Sequence, residues 1–141
     1  MATTDEMHQV LVGIDGSPGS QRALEWALNN QRSLGEVRTL GTYQVTFPID
    51  STGTAPASLY DPALYLEAAR AGVEGVLAVV DPSLIATNIM VQGPAGRSLV
   101  EASSGAALLV VGCRGRSAAV EMLLGSVGSY SVKHATCPVA V

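Results

Sequence analysis

The chain is poor in charged residues, in aromatic residues and in lysine, and each shortage excludes a class of function. Charged residues make up 14% of the 141 residues, aromatic residues make up 4%, and Lys133 is the only lysine. The net charge is −4 and no cluster of Lys or Arg is present, so we expect neither nucleic acid nor an anionic membrane as a partner. A P-loop is excluded because no lysine follows a glycine-rich loop.

Cysteine and histidine are also scarce, with two of each. Cys113 and Cys137 form no CxxC motif and no disulfide framework, so we expect reduced thiols and a cytoplasmic protein. Two histidines, His8 and His134, lie far apart in the sequence, which argues against a zinc site. The polar, acidic start and the short apolar runs predict neither a secretory leader nor a membrane span. No general base, metal-binding carboxylate pair or catalytic triad is evident, so we predict no catalytic residues and no protein side chains that bind a metal.

What the chain does have is a high hydrophobic content, 48%, arranged in alternating short apolar runs and helical segments of one domain. Residues 1–8 are predicted to be a flexible lead, 47–61 a long mobile loop, and 118–124 a helical turn or loop. The predicted strands are 10–14, 37–46, 88–91, 107–111 and 138–141; the predicted helices are 19–34, 62–80, 95–105 and 126–135. This alternation predicts an α/β fold: a five-stranded parallel sheet with helices on both faces, of Rossmann-like type.

The most informative motif follows the fourth predicted strand. Gly112 and Gly115 come directly after the apolar run 107–111, and Gly125-Ser126 opens the last predicted helix. Glycine lets backbone amides approach a phosphate closely, and a helix start offers unpaired N–H groups and a positive dipole end. The spacing therefore predicts a phosphate site and hence a nucleotide.

A second polar turn follows the first predicted strand and begins with Asp15. In parallel sheets, ligands bind beyond the carboxyl ends of the strands, so this turn and the glycine motif meet if the first and fourth strands are neighbours. Arg114 either pairs with a phosphate or stays solvated. Asp15 also suits a helix-capping role, and Cys113 is either a small tolerated residue or a redox-active thiol.

Several ordered segments together resemble the universal stress protein family over nearly the whole chain. The matching segments are Leu11-Val-Gly-Ile-Asp-Gly-Ser17, Ala23-Leu-Glu-Trp-Ala27, Gly93-Pro-Ala95, Gly112-x2-Gly115-x9-Gly125-Ser126 and His134-Ala-Thr-Cys-Pro-Val139. The glycine pattern places the chain in the ATP-binding branch of that family. The resemblance implies the fold of that family, of the HUP type, and an ATP site, with AMP or ADP as alternatives and Mg²⁺ or Mn²⁺ bridging the phosphates.

The resemblance also implies a role for each matched position. Asp15 is expected to contact the ribose or the adenine, and Thr42 is expected to meet the adenine through its backbone. The glycines of the motif, Gly112, Gly115 and Gly125, are expected to shape the phosphate loop. Phosphate oxygens would be held by the Ser126 hydroxyl and by the amides of Ser126 and Val127.

Three functions fit these observations. The first is a nucleotide-linked regulatory module of the stress response, acting on an unknown protein partner. The second is a weak ATPase or an ATP-dependent transferase, and the third is a scaffold that binds no nucleotide. The family resemblance further implies a homodimer formed by the last strand, Val139–Val141, whose apolar edge invites pairing.

Overall fold

The computed structural model describes residues 8–46, 51–53, 61–113 and 124–141. Strands and helices alternate along this part of the chain, with a short 3-10 helix, Pro82–Leu84, before the third strand. The strands are β1 Gln9–Ile14, β2 Glu36–Tyr43, β3 Ile85–Gln92, β4 Leu108–Val110 and β5 Val139–Ala140; the helices are α1 Pro18–Leu34, α2 Pro62–Leu77, α3 Ala95–Ala102 and α4 Ser126–His134.

The five strands form one parallel sheet in the order β3-β2-β1-β4-β5. β1 pairs with β2 on one side and with β4 on the other, as in the Val10↔Leu108 pair. The chain therefore adds β2 and β3 on one side of β1 and then crosses over to place β4 on the other side, so the switch point lies between β1 and β4. The segments that follow β1 and β4 leave the sheet side by side, as the sequence predicted for neighbouring first and fourth strands.

Two apolar clusters, one on each face of the sheet, confirm the predicted helical layers. On one face, α1 buries Leu24 against β1, and α2 buries Val73 against β2. On the other face, Leu99 of α3 and Val127 of α4 pack with Leu11 of β1. Leu24 is fully buried, and burying such a side chain stabilises the fold by about 1.5–3 kcal/mol.

Several predicted boundaries are wrong by a few residues. β3 starts at Ile85 rather than 88, because Ala86 and Thr87 are exposed and the pairing with β2 shifts register there, so no buried apolar run marks this part of the strand. β2 ends at Tyr43 rather than 46. α2 and α3 end at Leu77 and Ala102 rather than 80 and 105. The remaining elements shift by one or two residues at either end, and the 3-10 turn was not predicted.

Parts of three predicted segments lie outside the described residues. They are residues 1–7 of the lead, 47–50 and 54–60 of the long loop, and 118–123 of the helical turn. None of the helices in the described part of the chain combines the length and the apolar character needed to cross a membrane.

Candidate functional site

A cleft opens at the carboxyl ends of β2, β1 and β4, on the side of the sheet that carries α3 and α4. Three of the predicted site residues, Asp15, Thr42 and Gly112, follow or end these strands, and Val127 reaches the cleft from α4. The lining residues are Gly13, Ile14, Asp15, Ser17, Ser20, Leu40, Thr42, Ala95, Leu99, Val111, Gly112 and Val127. The fold thus brings together residues that are up to 114 positions apart in the sequence, Gly13 and Val127.

The carboxylate in the cleft belongs to Asp15, in the turn between β1 and α1. Its Oδ1 accepts hydrogen bonds from the Ser17 backbone N–H, at 2.9 Å, and from the Ser17 hydroxyl. Gly16 between them has φ +83°, a conformation that favours glycine. The predicted helix-capping role falls to Ser17, whose hydroxyl accepts from the Ser20 N–H at 3.1 Å. Asp15 is therefore held in place by the start of α1.

The β2 side of the cleft is mainly apolar. Leu40 and Leu99 belong to the buried cluster between the sheet and α3, and half-buried Val127 packs against that cluster. A Cβ at Gly13 would lie 2.9 Å from Leu99, so glycine at this position allows α3 to pack close to β1. The β1–β2 pairing ends at Ile14↔Gly41, and Thr42 extends one residue beyond it. This arrangement provides an apolar slot with a strand backbone at its rim.

The β4 side of the cleft consists of Gly112 and the start of α4. A Cβ at Gly112 would lie 2.7 Å from the carbonyl carbon of Gly19 in α1, so only glycine fits without movement of the backbone. The Gly125 N–H donates to the carbonyl oxygen of Cys113 at 2.7 Å, which brings the two halves of the glycine motif together. Ser126 is the exposed first residue of α4. Gly125 and Ser126 adjoin the cleft without lining it.

No side chain among the described residues caps α4. The first N–H groups of a helix have no acceptor within the helix and carry the positive end of its dipole. At the other end, Lys133 and His134 stand in the last turn, where cations suit the dipole. The start of α4 is therefore suited to hold an anion.

Two predicted site residues, Arg114 and Gly115, lie outside the described residues. Cys113, just before them, is exposed, and Cys137 is half-buried against the apolar cluster on the α3 side. Among the residues that the structure describes, no group of three or more His, Cys, Asp and Glu side chains could hold a metal ion. Asp15 is the one carboxylate among the cleft-lining residues. These donors do not form a cation site by themselves, so a divalent cation would need phosphate oxygens as ligands.

The sequence analysis did not predict that Ser20, Leu40 and Leu99 line the cleft. Ser17 belongs to the polar turn that was expected to meet the glycine motif, although no role was predicted for it. Leu40 could have been identified from the sequence. It lies two residues before Thr42 in a predicted strand, and residues two apart in a strand point to the same face. Leu99 is buried in the apolar cluster on the α3 side, and no local feature of the sequence shows that it reaches this cleft.

The family model described as the universal stress protein family matches residues 6–141. The chain belongs to the universal stress protein family. Two members from Mycobacterium tuberculosis, the universal stress proteins Rv2624c and Rv2623, are 33% identical over 136 residues and 30% identical over 139 residues. These matches cover 96% and 94% of the chain but 48% and 46% of the two relatives. This universal stress protein chain therefore spans about half the length of these relatives.

Solved structures of the family share the fold. The universal stress protein UspA from Lactobacillus plantarum superposes with a TM-score of 0.75 at 23% identity, covering 96% of this chain and 97% of that one. A universal stress protein in complex with cAMP gives a TM-score of 0.57 at 28% identity, covering 95% of this chain and 94% of that one. The five-stranded α/β architecture is thus the family fold.

Proposed function

We propose that this universal stress protein binds an adenine nucleotide in the cleft, with ATP as the main ligand. The observation that carries the proposal is that the ends of the adjacent strands β2, β1 and β4 differ in chemical character, in a definite order. An apolar slot lies at β2 and a carboxylate at β1. At β4, a glycine lies beside the start of α4, which no side chain of the described residues caps. A nucleotide presents an apolar base, a hydroxylated sugar and an anionic phosphate in the same order.

The base is placed in the slot at β2. Leu40, Leu99 and Val127 offer apolar surface to the faces of the ring, as the walls of small-molecule sites usually do. Since Thr42 extends past the end of β1, its backbone groups on that side are available to the edge of an adenine. This assignment keeps the role that the family resemblance implied for Thr42.

The phosphates are placed at the start of α4. The amides of Ser126 and Val127 and the Ser126 hydroxyl supply hydrogen-bond donors, and the helix dipole favours a negative charge there. Gly112 ends β4 with the start of α1 packed close against it, and the hydrogen bond from the Gly125 N–H to the Cys113 carbonyl oxygen holds the start of α4 next to this strand end. Mg²⁺ or Mn²⁺ would take its ligands mainly from the phosphates. Arg114 and Gly115 complete this site in the proposal.

The ribose is placed at Asp15, between the base and the phosphates. Neighbouring strands are about 4.8 Å apart, a spacing that suits the distance from one part of a nucleotide to the next. A carboxylate accepts hydrogen bonds at both oxygens, so it suits the hydroxyl groups of a sugar. Family members in complex with cAMP, AMP and dAMP support the proposal of an adenine nucleotide.

The nucleotide is proposed to act as a regulatory signal of the stress response rather than as a substrate. The described part of the cleft holds one carboxylate and no histidine, so it offers little for acid–base chemistry. A ligand shifts a conformational equilibrium only through its different affinities for the two states. The protein is therefore proposed to present one surface to its partner when loaded and another when empty.

Calorimetric titration of nucleotide-stripped protein with ATP, ADP, AMP and cAMP, with and without Mg²⁺, tests the proposal. We expect saturable binding, and we expect Asp15→Asn to weaken it by about tenfold or more because the amide nitrogen cannot accept from a hydroxyl. Asp81→Asn is the matched control: Asp81 stands in the same kind of Asp-x-Ser turn but is exposed and remote from the cleft. No binding of any nucleotide by folded, empty protein would overturn the proposed function.

We further propose that two copies pair through β5, the outermost described strand next to β4. The carbonyl oxygens of Pro138 and Ala140 accept from β4, so the backbone groups of Val139 face the open side. Val141 is 50% exposed there. Light scattering should give twice the 14.5 kDa mass of the chain, and Val141→Lys should shift it toward the monomer because edge lysines oppose strand pairing. A monomeric wild-type protein would contradict this proposal.

A further inference from the structure

The Ser17 side chain has two roles: it caps α1, and it contacts the carboxylate in the cleft. Ser17 is 6% exposed. Its hydroxyl accepts from the Ser20 N–H at 3.1 Å and donates to Asp15 Oδ1. The Ser17 N–H donates to the same oxygen at 2.9 Å. Two donors from one residue therefore fix the rotation of the Asp15 carboxylate relative to the start of α1.

The turn from Asp15 to Ser17 is restricted by α2 on one side and by the Ser20 hydroxyl on the other. Gly16, at φ +83°, faces Gly72 of α2, and a Cβ on Gly16 would lie 2.9 Å from the Gly72 Cα. On the inner side, the Ser20 hydroxyl donates to the Ser17 carbonyl oxygen at 2.9 Å and accepts from the Asp15 N–H at 3.4 Å. The turn has little room to shift, so the Ser17 N–H stays in place, and the Ser17 hydroxyl adds a second donor that restricts the direction of the Asp15 carboxylate further.

We propose that Ser17 is a positioning residue that makes the site selective for ribose over deoxyribose, by aiming the Asp15 carboxylate at the sugar hydroxyls. The inference rests on the proposed function and goes beyond it, because it assigns the selectivity to a residue that need not touch the ligand. A carboxylate that is free to rotate can accept from a hydroxyl only part of the time. One held at a fixed angle favours the sugar that supplies that hydroxyl.

The same chain contains a natural control for this geometry. Asp81 accepts at Oδ1 from the Ser83 N–H, at 2.9 Å, and from the Ser83 hydroxyl, at 2.7 Å. These two donors hold the pKa of the Asp81 carboxyl below its usual value, so they do bind the carboxylate form. Asp81 and Ser83 are exposed and lie before β3, at the end of the sheet opposite the cleft. Removing the Ser83 hydroxyl therefore breaks the same kind of bond without touching the nucleotide site.

The test compares the dissociation constants of AMP, 2′-deoxy-AMP and 3′-deoxy-AMP for the wild type and for Ser17→Ala, Ser17→Thr and Ser83→Ala. We expect the wild type to prefer AMP to one or both deoxy analogues by about tenfold, the value of one good hydrogen bond. Ser17→Ala should reduce this preference to less than about twofold, mainly by weakening AMP binding. Ser17→Thr keeps the hydroxyl and should restore the preference, and Ser83→Ala should leave it unchanged.

Loss of the helix cap is a separate effect of Ser17→Ala, so Ser17→Gly is measured as well. Glycine removes the same hydroxyl and is tolerated at a helix cap far better than alanine. If Ser17→Ala and Ser17→Gly weaken AMP and both deoxy analogues equally, Ser17 has only a structural role and the inference is wrong. A wild type that binds all three equally also overturns it while leaving the proposed function intact. A wild type that binds none of the nucleotides overturns the proposed function itself.

Discussion

Replacing Ser126 with Glu is expected to weaken ATP binding by about 100-fold or more while leaving the protein folded. Ser126 is the exposed first residue of α4, so a larger side chain causes no clash in the core. A negative charge at a helix start is favourable for the helix, by about 0.3–1 kcal/mol. The same charge repels a phosphate, and unit charges 4 Å apart near a protein surface interact by about 4 kcal/mol. Calorimetric titration with ATP measures the loss.

Ser126→Gln is the matched control, because glutamine has the size of glutamate without its charge. We expect Ser126→Gln to bind ATP at least about tenfold more tightly than Ser126→Glu, since only the charge differs. The difference between the two variants should shrink at high salt, because salt screens exposed charges. Wild-type affinity in Ser126→Glu would show that the phosphates lie elsewhere, and the proposed orientation of the nucleotide would be wrong.

Replacing Gly35 with Ala is expected to destabilise the protein by about 3 kcal/mol or more. Gly35 follows α1 with φ +116° and ψ −173°, a backbone conformation that is essentially restricted to glycine. A Cβ there would lie 1.8 Å from the carbonyl oxygen of His8, so the backbone before β1 must also move. For a domain of this size, the melting temperature should fall by about 10 °C, which urea and thermal unfolding both measure.

The control for Gly35 is Gly75 in α2. A Cβ added to Gly75 would have no described atom within 4 Å apart from its chain neighbours and the backbone of its own helix. Gly75→Ala should raise the free energy of unfolding by about 0.5–1 kcal/mol, because alanine favours the helix. Gly35 is at the end of the sheet away from the cleft, so Gly35→Ala should bind ATP normally at temperatures where it is folded. Equal stabilities of Gly35→Ala and the wild type would contradict the close approach of Gly35 to the His8 backbone.

The predicted elements show which signals the sequence carries clearly. Buried strands such as β1 were predicted almost to the residue, because burial on both faces leaves a continuous apolar run. For the outer strand β3, only four of eight residues were predicted, because Ala86 and Thr87 near its start are exposed and the pairing with β2 is irregular there. The end of α2 was placed too late, since apolar residues continue past Leu77 into a turn.

Some residues of the candidate site were likewise identified from local patterns, and others were not. Asp15 and Gly112 were identified from local patterns, a polar turn and a glycine step that each follow a buried strand. Leu40 and Leu99 were not identified, because a leucine at a cleft has the same local pattern as a leucine in the core. The contact of Ser17 with Asp15 also has no signature of its own, since a serine at this position already fits a helix cap.

The sequence by itself determined the alternation of strands and helices, the two turns that carry polar chemistry, and the family resemblance. These features depend on neighbouring residues along the chain, so local patterns are enough to reveal them. Only the tertiary structure decided that β4 lies beside β1, which brings Asp15 and Gly112 to one cleft. Strand order depends on contacts between segments nearly 100 residues apart, such as Val10 and Leu108, and no local pattern specifies which strands will pair.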